Sequence, residues 1–274
     1  MPNVPAFIIQ NLTVGYSGQP ILNQLDLTLD SGRVTALIGP NGCGKSTLLK
    51  AMARILTPAS GGIRLSDGSA LSALSARETA QRIALLPQSP LVPEGLKVFD
   101  LVAYGRSPHL NAFGHLRERD REAIQQALVR TDVESLSDLP LAQLSGGQRQ
   151  RVWMAMILAQ QADIILLDEP TTYLDLAHQY DLLDLVQDLA ADGRTVITVL
   201  HDLNQACRYA DELVVLKQGR LMDQGAPKKV MTEAMLREVF SLDAQILDDP
   251  ETGTPLCVPR ARGKYYHQAS WAVA

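Results

Sequence analysis

One stretch constrains this chain more than any other: Gly39-Pro40-Asn41-Gly42-Cys43-Gly44-Lys45-Ser46-Thr47. It follows the short apolar run Val34-Thr35-Ala36-Leu37-Ile38 and leads into residues 46–56, which read as helix. Strand, glycine loop and helix in that order make a phosphate-binding unit of the form G-x-x-x-x-G-K-[ST]. Glycines let the backbone turn tightly, so that successive N–H groups converge on phosphate oxygens. The helix presents its positive N-terminal end to the same anion. Lys45 has the reach to meet the β- and γ-phosphates, and the Ser46 hydroxyl suits a magnesium ion. Gly39, Asn41, Gly42, Cys43, Gly44, Lys45, Ser46 and Thr47 are therefore the first candidate nucleotide-binding residues.

A second segment supplies the complementary chemistry. Ile164-Ile165-Leu166-Leu167-Asp168-Glu169 is an apolar strand that ends in two carboxylates. A buried strand can deliver Asp168 beside the phosphate loop to hold the metal, and set Glu169 to polarise the attacking water as a general base. Alone, the same pattern also describes a strand that simply meets solvent; downstream of the phosphate loop the functional reading takes over.

Composition narrows the class without naming it. The chain has 274 residues, 46% hydrophobic and 20% charged, which is ordinary for a globular protein with a sizeable core. A net charge of -5 argues against a nucleic-acid binder that relies on a global basic field. The cysteines, Cys43, Cys207 and Cys257, are scattered and odd in number, which suits a reducing compartment. The N-terminus has no basic start and no apolar signal core, and runs such as residues 164–167 are too short to span a bilayer. Any membrane process is then served from the cytosol, through a partner.

The order of elements is that of an α/β core with additions. Phe7-Ile8-Ile9 and Leu25-Asp26-Leu27-Thr28-Leu29 read as β structure around a turn at Ser17-Gly18-Gln19-Pro20. Leu85 and Leu86 end a further strand before Pro87-Gln88. Residues 97–160 read mostly as helix. Within them, 117–130 is charged, with Ile124, Leu128 and Val129 expected on one side. Residues 164–167 and 195–200 read as buried strands, separated by a helix over 176–191. The stretch after residue 255 mixes Pro, Gly, Arg and Tyr, as a loosely packed tail would.

Leu144-Ser145-Gly146-Gly147-Gln148 is the decisive segment. In isolation it also suits a plain Ser/Gly helix cap. It resembles the LSGGQ signature of ABC ATPases, and the order of motifs is similar to that family over essentially the whole chain. Tyr16 stands where the family places an aromatic that stacks on adenine. Gln88 stands where it has the Q-loop glutamine, Thr171-Thr172-Tyr173-Leu174-Asp175 resembles the D-loop, and His201 the switch histidine. Taken singly, Tyr16 suits a turn aromatic, Gln88 a surface amide and His201 a satisfied strand-end histidine. Tyr173 departs from the small polar residue more usual in the D-loop.

The resemblance implies a P-loop NTPase (RecA-like) core with an antiparallel β subdomain and an inserted α-helical subdomain. It implies one ATPase domain over 1–258, with the helical part at about 90–160, and a tail over 259–274. It implies ATP and Mg²⁺, with Ser46, Gln88 and Asp168 at the metal, and Lys45, Gln88, Glu169 and His201 in hydrolysis. It also implies a head-to-tail homodimer, in which Ser145, Gly147, Gln148 and Asp175 serve the nucleotide held by the other copy. An integral membrane permease would be the partner, served in turn by a substrate-binding protein, with this chain on the cytoplasmic face of the membrane.

Within the family, several segments resemble importers of iron(III)–siderophore and ferric citrate. They are Pro87-Gln88 with Pro93-Glu94-Gly95 and Val98, Tyr104-Gly105-Arg106-Ser107-Pro108, residues 168–175 continued by His178-Gln179, and Leu200-His201-Asp202-Leu203-Asn204-Gln205-Ala206. Cobalamin and haem importers share the architecture, and a soluble non-transport ABC ATPase is the other alternative. His109, His115, His178 and His267 lack metal-ligand spacing, so the chain itself is not expected to touch iron. Residues 97–114 are where the permease is expected to dock, with Leu101, Val102, Leu110 and Phe113 as receiving side chains or as ordinary core.

Overall fold

The computed structural model describes residues 4–88, 95–110, 114–172 and 174–260. Pro93, Glu94, Phe113, Tyr173, His267 and the expected tail beyond 260 lie outside them. The chain opens with a hairpin of β1 (Pro5–Tyr16) and β2 (Gln19–Asp30), turned through Ser17 and Gly18, both at positive φ. β3 (Val34–Ile38), the phosphate loop and α1 (Lys45–Met52) follow. α1 stops short of the predicted end at 56, because Arg54 turns left-handed at φ 59° and ends the helix. β4 (Ser60–Leu65) returns to pair with β1, completing an antiparallel sheet in the order β2-β1-β4.

α2 (Ala76–Arg82) starts on a reciprocal cap between Ser75 and Glu78 and runs into β5 (Ile83–Leu86). A helical layer comes next: α3 (Val98–Tyr104), α4 (Glu118–Arg130) and α5 (Gly146–Ala159). The expected apolar side of α4 needs correction. Ile124 and Leu128 are buried with Ala123 and Ala127, but Val129 is 55% exposed. One residue beyond Leu128, Val129 is rotated off the i, i+4 stripe that faces α5. Leu101 and Val102 are buried in the core that α3 shares with α5, which is the ordinary-core alternative of the two expected for them. Arg106, 3% exposed, locks this layer. Its guanidinium pairs with buried Asp120 at 2.9 Å and donates to the Ala159 carbonyl at 2.7 Å.

β6 (Ile164–Asp168), α6 (Leu176–Ala191), β7 (Thr195–Val199) and α7 (Leu203–Tyr209) then alternate. α6 has the bounds read from sequence. Its start is set by Asp175, whose carboxylate accepts the His178 N–H at 3.0 Å. β8 (Glu212–Lys217) and β9 (Arg220–Gly225) form a hairpin. α8 (Pro227–Val230), α9 (Glu233–Phe240) and a second hairpin, β10 (Ala244–Asp248) with β11 (Pro255–Pro259), follow.

The six-stranded sheet has the order β5-β6-β7-β3-β8-β9, parallel except for β9. β3, β6 and β7 are buried along their whole length. That is why apolar residues dominate both of their faces, with buried Thr35, Thr195 and Thr198 between them, and why they do not alternate with solvent-facing polar ones. One core lies on the face shared with α5, α6 and α7. The other joins Leu37, Leu166 and Ile197 to α1 and the β1/β2 sheet. Because β3, β6 and β7 are parallel neighbours, the segments that leave them converge at one edge. In open α/β sheets that carboxyl edge is where ligands bind.

Candidate active site

The phosphate loop is held by contacts that tolerate only glycine at two positions. Gly39 has φ 150°, and a Cβ there would lie 2.1 Å from the Leu216 carbonyl oxygen. Gly44 has φ 108°, and a Cβ there would meet Leu22 Cδ2 at 2.5 Å. β8 and β2 thus press on the loop from behind and fix its curvature. Lys45 is buried, and its ammonium donates to the carbonyls of Gly39 at 2.8 Å and Pro40 at 3.2 Å. The Cys43 thiol is buried next to it, and burial raises its pKa despite the nearby lysine charge.

From β6 comes the acidic pair. The Ser46 hydroxyl donates to Asp168 Oδ1 at 2.9 Å, joining α1 to the end of β6. Asp168 is 4% exposed, and burial raises its pKa; the Ser46 hydrogen bond opposes this and the Glu169 charge adds to it. Glu169 follows in the left-handed region, at φ 54°, a conformation that costs a non-glycine residue about 1 kcal/mol. This turn brings its carboxylate out of the sheet toward three other side chains. Gln88 Nε2 donates to Glu169 Oε2 at 2.5 Å, the Thr172 hydroxyl reaches the same oxygen at 3.4 Å, and His201 Nε2 stands 2.5 Å from Oε1.

These groups open on one cavity of about 450 Å³. Tyr16, Asn41, Gly42, Cys43, Gly44, Lys45, Ser46, Thr47, Gln88, Glu169 and His201 all line it. Gly39 and Asp168 sit just behind its wall, tied to it through Lys45 and Ser46. Tyr16 is 45% exposed, with the Lys50 ammonium 5.9 Å from its ring centroid. Sequence reasoning did not single out Ile21 or Lys50, and named Thr172 only within the D-loop segment. Ile21 lines the cavity from β2 with no local signal. Lys50 was within reach of inference, since it lies four residues beyond Ser46 on the same helix face.

Ser145, Gly147, Gln148 and Asp175 do not reach this cavity. Ser145 and Gln148 form a reciprocal helix cap: the Ser145 hydroxyl accepts the Gln148 N–H at 3.2 Å, and Gln148 Oε1 accepts the Ser145 N–H at 3.0 Å. Gly147 lines a separate cleft with Arg151, Leu174 and His178. Asp175 binds His178 through its backbone N–H and through its ring at 2.6 Å, and these bonds lower the Asp175 pKa. Gln150 on α5 links the two regions: it donates to the Pro170 carbonyl at 2.8 Å, one residue past Glu169.

Anion-turning glycines, a shielded lysine and a strand-end acid that meets the serine of the loop define a P-loop nucleoside triphosphatase. Residues 22–172 match the family model described as ABC transporter, and the chain belongs to that family. It is 47% identical over 254 residues to the ferric enterobactin transport ATP-binding protein of Escherichia coli (strain K12), covering 92% of this chain and 93% of that protein. It is 46% identical over 250 residues to the iron(3+)-hydroxamate import ATP-binding protein of Bacillus subtilis (strain 168), covering 91% and 93%. Among solved structures it resembles a metal-chelate type ABC transporter in an inward-facing conformation. The TM-score is 0.81 at 32% identity, over 94% of this chain and 98% of that one.

Proposed function

We propose that this chain is the ATP-hydrolysing subunit of an importer of iron(III) chelates, of the siderophore or ferric citrate type. The observation that carries the ATPase reading is the convergence of Lys45, the Ser46–Asp168 pair and the Gln88–Glu169–His201 cluster on one cavity. The names of relatives that share nearly half their residues with it over more than nine-tenths of its length support the cargo.

In this reading the backbone N–H groups of residues 41–47 and the Lys45 ammonium bind the β- and γ-phosphates. Tyr16 stacks on the base. Glu169 takes the proton from the water that attacks the γ-phosphate, and His201 holds the γ-phosphate oxygens while its neighbour acts. Gln88 positions both. Ser46, Asp168 and Gln88 fit a magnesium ion: Asp168 is a buried carboxylate hydrogen-bonded to one hydroxyl, with the Lys45 and Lys50 charges acting on it only through space, and hydroxyl, carboxylate and amide oxygens are the donors such an ion takes. When bound, that ion neutralises charge on the phosphates.

Further parts of the reading extend beyond one chain. Ser145, Gly147 and Gln148 serve a nucleotide held by a second copy of this chain packed head to tail, and Asp175 lies at the same junction. Among the described residues no helix is long and apolar enough to cross a membrane. We read the chain as docked on the cytoplasmic face through an integral membrane permease, itself fed by a substrate-binding protein. Residues 1–258 form the ATPase domain, with its helical part at about 90–160 and a tail over 259–274.

Two measurements test this. Purified chain should release phosphate from ATP and not from ADP. Cells deprived of it should lose uptake of radiolabelled ferric siderophore or ferric citrate while keeping cobalamin and haem uptake. Loss of cobalamin or haem uptake instead would reassign the cargo, and absence of phosphate release in both the chain and its permease complex would overturn the ATPase reading.

A further inference from the structure

Two glutamines stand outside everything assigned so far. Gln205 on α7 is 5% exposed, one of few polar side chains sunk into the core. Its amide donates to Gln179 Oε1 on α6 at 2.7 Å. Gln179 Nε2 donates in turn to the Leu174 carbonyl at 3.0 Å. A buried amide costs stability unless its groups are matched, and two apolar side chains would fill the same space without that cost. What the amides add is direction: each bond forms at one relative placement of its two elements.

Both ends of this chain of bonds are chemically placed. At one end, Asp202 follows His201 directly and accepts the N–H groups of Asn204 at 2.8 Å and Gln205 at 3.0 Å. The turn that carries His201 is thereby built onto the start of α7. At the other end, Leu174 precedes Asp175 and belongs to the segment that begins at Glu169. The same segment is held near its start by Gln150 on α5, through the Pro170 carbonyl at 2.8 Å, and Thr172 reaches back to Glu169. The described residues of this segment, 169–172 and 174–175, are thus fastened by side chains from α5, α6 and, through Gln179, α7.

We propose that Gln205 and Gln179 are positioning residues for hydrolysis: their paired amides set His201 and the 169–175 segment in one register. They touch neither phosphate nor water in this scheme. A shift at Leu174 and Asp175 is carried through the amides to the turn that holds His201. The inference rests on the reading of Glu169 and His201 as the hydrolytic pair.

The test is a double-mutant cycle on the full chain, in its permease complex, with Gln179→Met, Gln205→Met and the pair together. Each single substitution should lower kcat about tenfold with ATP KM held within about twofold, as expected when a catalytic group is displaced rather than lost. The double variant should be no worse than either single one. Full kcat in all three, or multiplied losses in the double variant, would overturn the proposal.

Gln205→Glu keeps the test decisive if the methionine variants do not fold. An ionised carboxylate cannot donate to Gln179 Oε1, whereas a protonated one can. The ratio of its kcat to that of the parent chain should therefore rise as pH falls, and a flat ratio would count against the relay. A parent chain without ATPase activity would indict the underlying functional reading, whereas an active parent with unaffected variants would indict only the relay.

Discussion

His201 Nε2 stands 2.5 Å from Glu169 Oε1, so the ends of β7 and β6 meet through their side chains above the phosphate loop. Gln88 Nε2 approaches the other oxygen of the same carboxylate at 2.5 Å. The glutamate is thus oriented from both sides. If it is the base for the attacking water, Glu169→Gln should leave ATP binding within about twofold and lower phosphate release by at least about a hundredfold. Filter binding and a steady-state phosphate assay check both halves.

We read Lys45 as a binding group. Its ammonium lies against the Gly39 and Pro40 carbonyls, a short reach from where phosphates would meet the loop. Lys45→Ala should weaken ATP affinity about tenfold or more, the size of a lost charged hydrogen bond. Calorimetric titration with ATP measures it directly, and unchanged affinity contradicts the assignment.

Asp168 carries opposite consequences for stability and function. Burial raises its folded-state pKa above the unfolded value, so the folded chain holds the proton more tightly. Stability should then fall as pH climbs from the unfolded carboxylate range through the folded pKa, and stay lowered above it. Asp168→Asn removes that loss. In buffer containing a chelator it should melt a few degrees above the parent at neutral pH, with the gap closing near pH ~4. The same variant should lose ATPase activity, since its amide is a poor magnesium ligand. A melting gap that does not change with pH would refute the argument.

Tyr16 tests the base platform. Tyr16→Ala should raise the ATP KM severalfold with little change in kcat, in line with a stacking contribution of about 1 kcal/mol. Tyr16→Phe keeps the ring and loses only the hydroxyl that lies 3.5 Å from the Lys50 ammonium, so it should stay near the parent value.

Arg106 and Asp120 are a stability prediction away from the chemistry. Both are buried and paired at 2.9 Å. Arg106→Met strands the Asp120 carboxylate in the helical layer and should cost about 3–5 kcal/mol in denaturant unfolding. Arg106→Met with Asp120→Leu should recover most of that loss.

Local chemistry accounts for what was readable beforehand. The phosphate loop announces itself because its glycines, lysine and serine must be contiguous to surround one phosphate chain. β6 announces itself because a strand buried on both faces must be apolar up to its last residue, Asp168, after which Glu169 leaves the sheet. α6 was legible to its ends because Asp175 caps it and the apolar period holds. Where the reading slipped, a neighbour decided. Val129 looked like a stripe residue until α5 defined which side of α4 is inside, and α5 also decided that Leu101 and Val102, open between core and receiving surface, are core.

By itself, then, the sequence determined the nucleotide chemistry, the family resemblance and most elements, all of which depend on residues close together in the chain. Only the tertiary structure decided that Ser46 meets Asp168, that Gln88 and His201 close on Glu169, and that Gln205 reaches Leu174 through Gln179. Those contacts depend on the strand order β5-β6-β7-β3, which sets distant strand ends side by side. No local pattern encodes that order, because it results from packing both faces of the sheet at once.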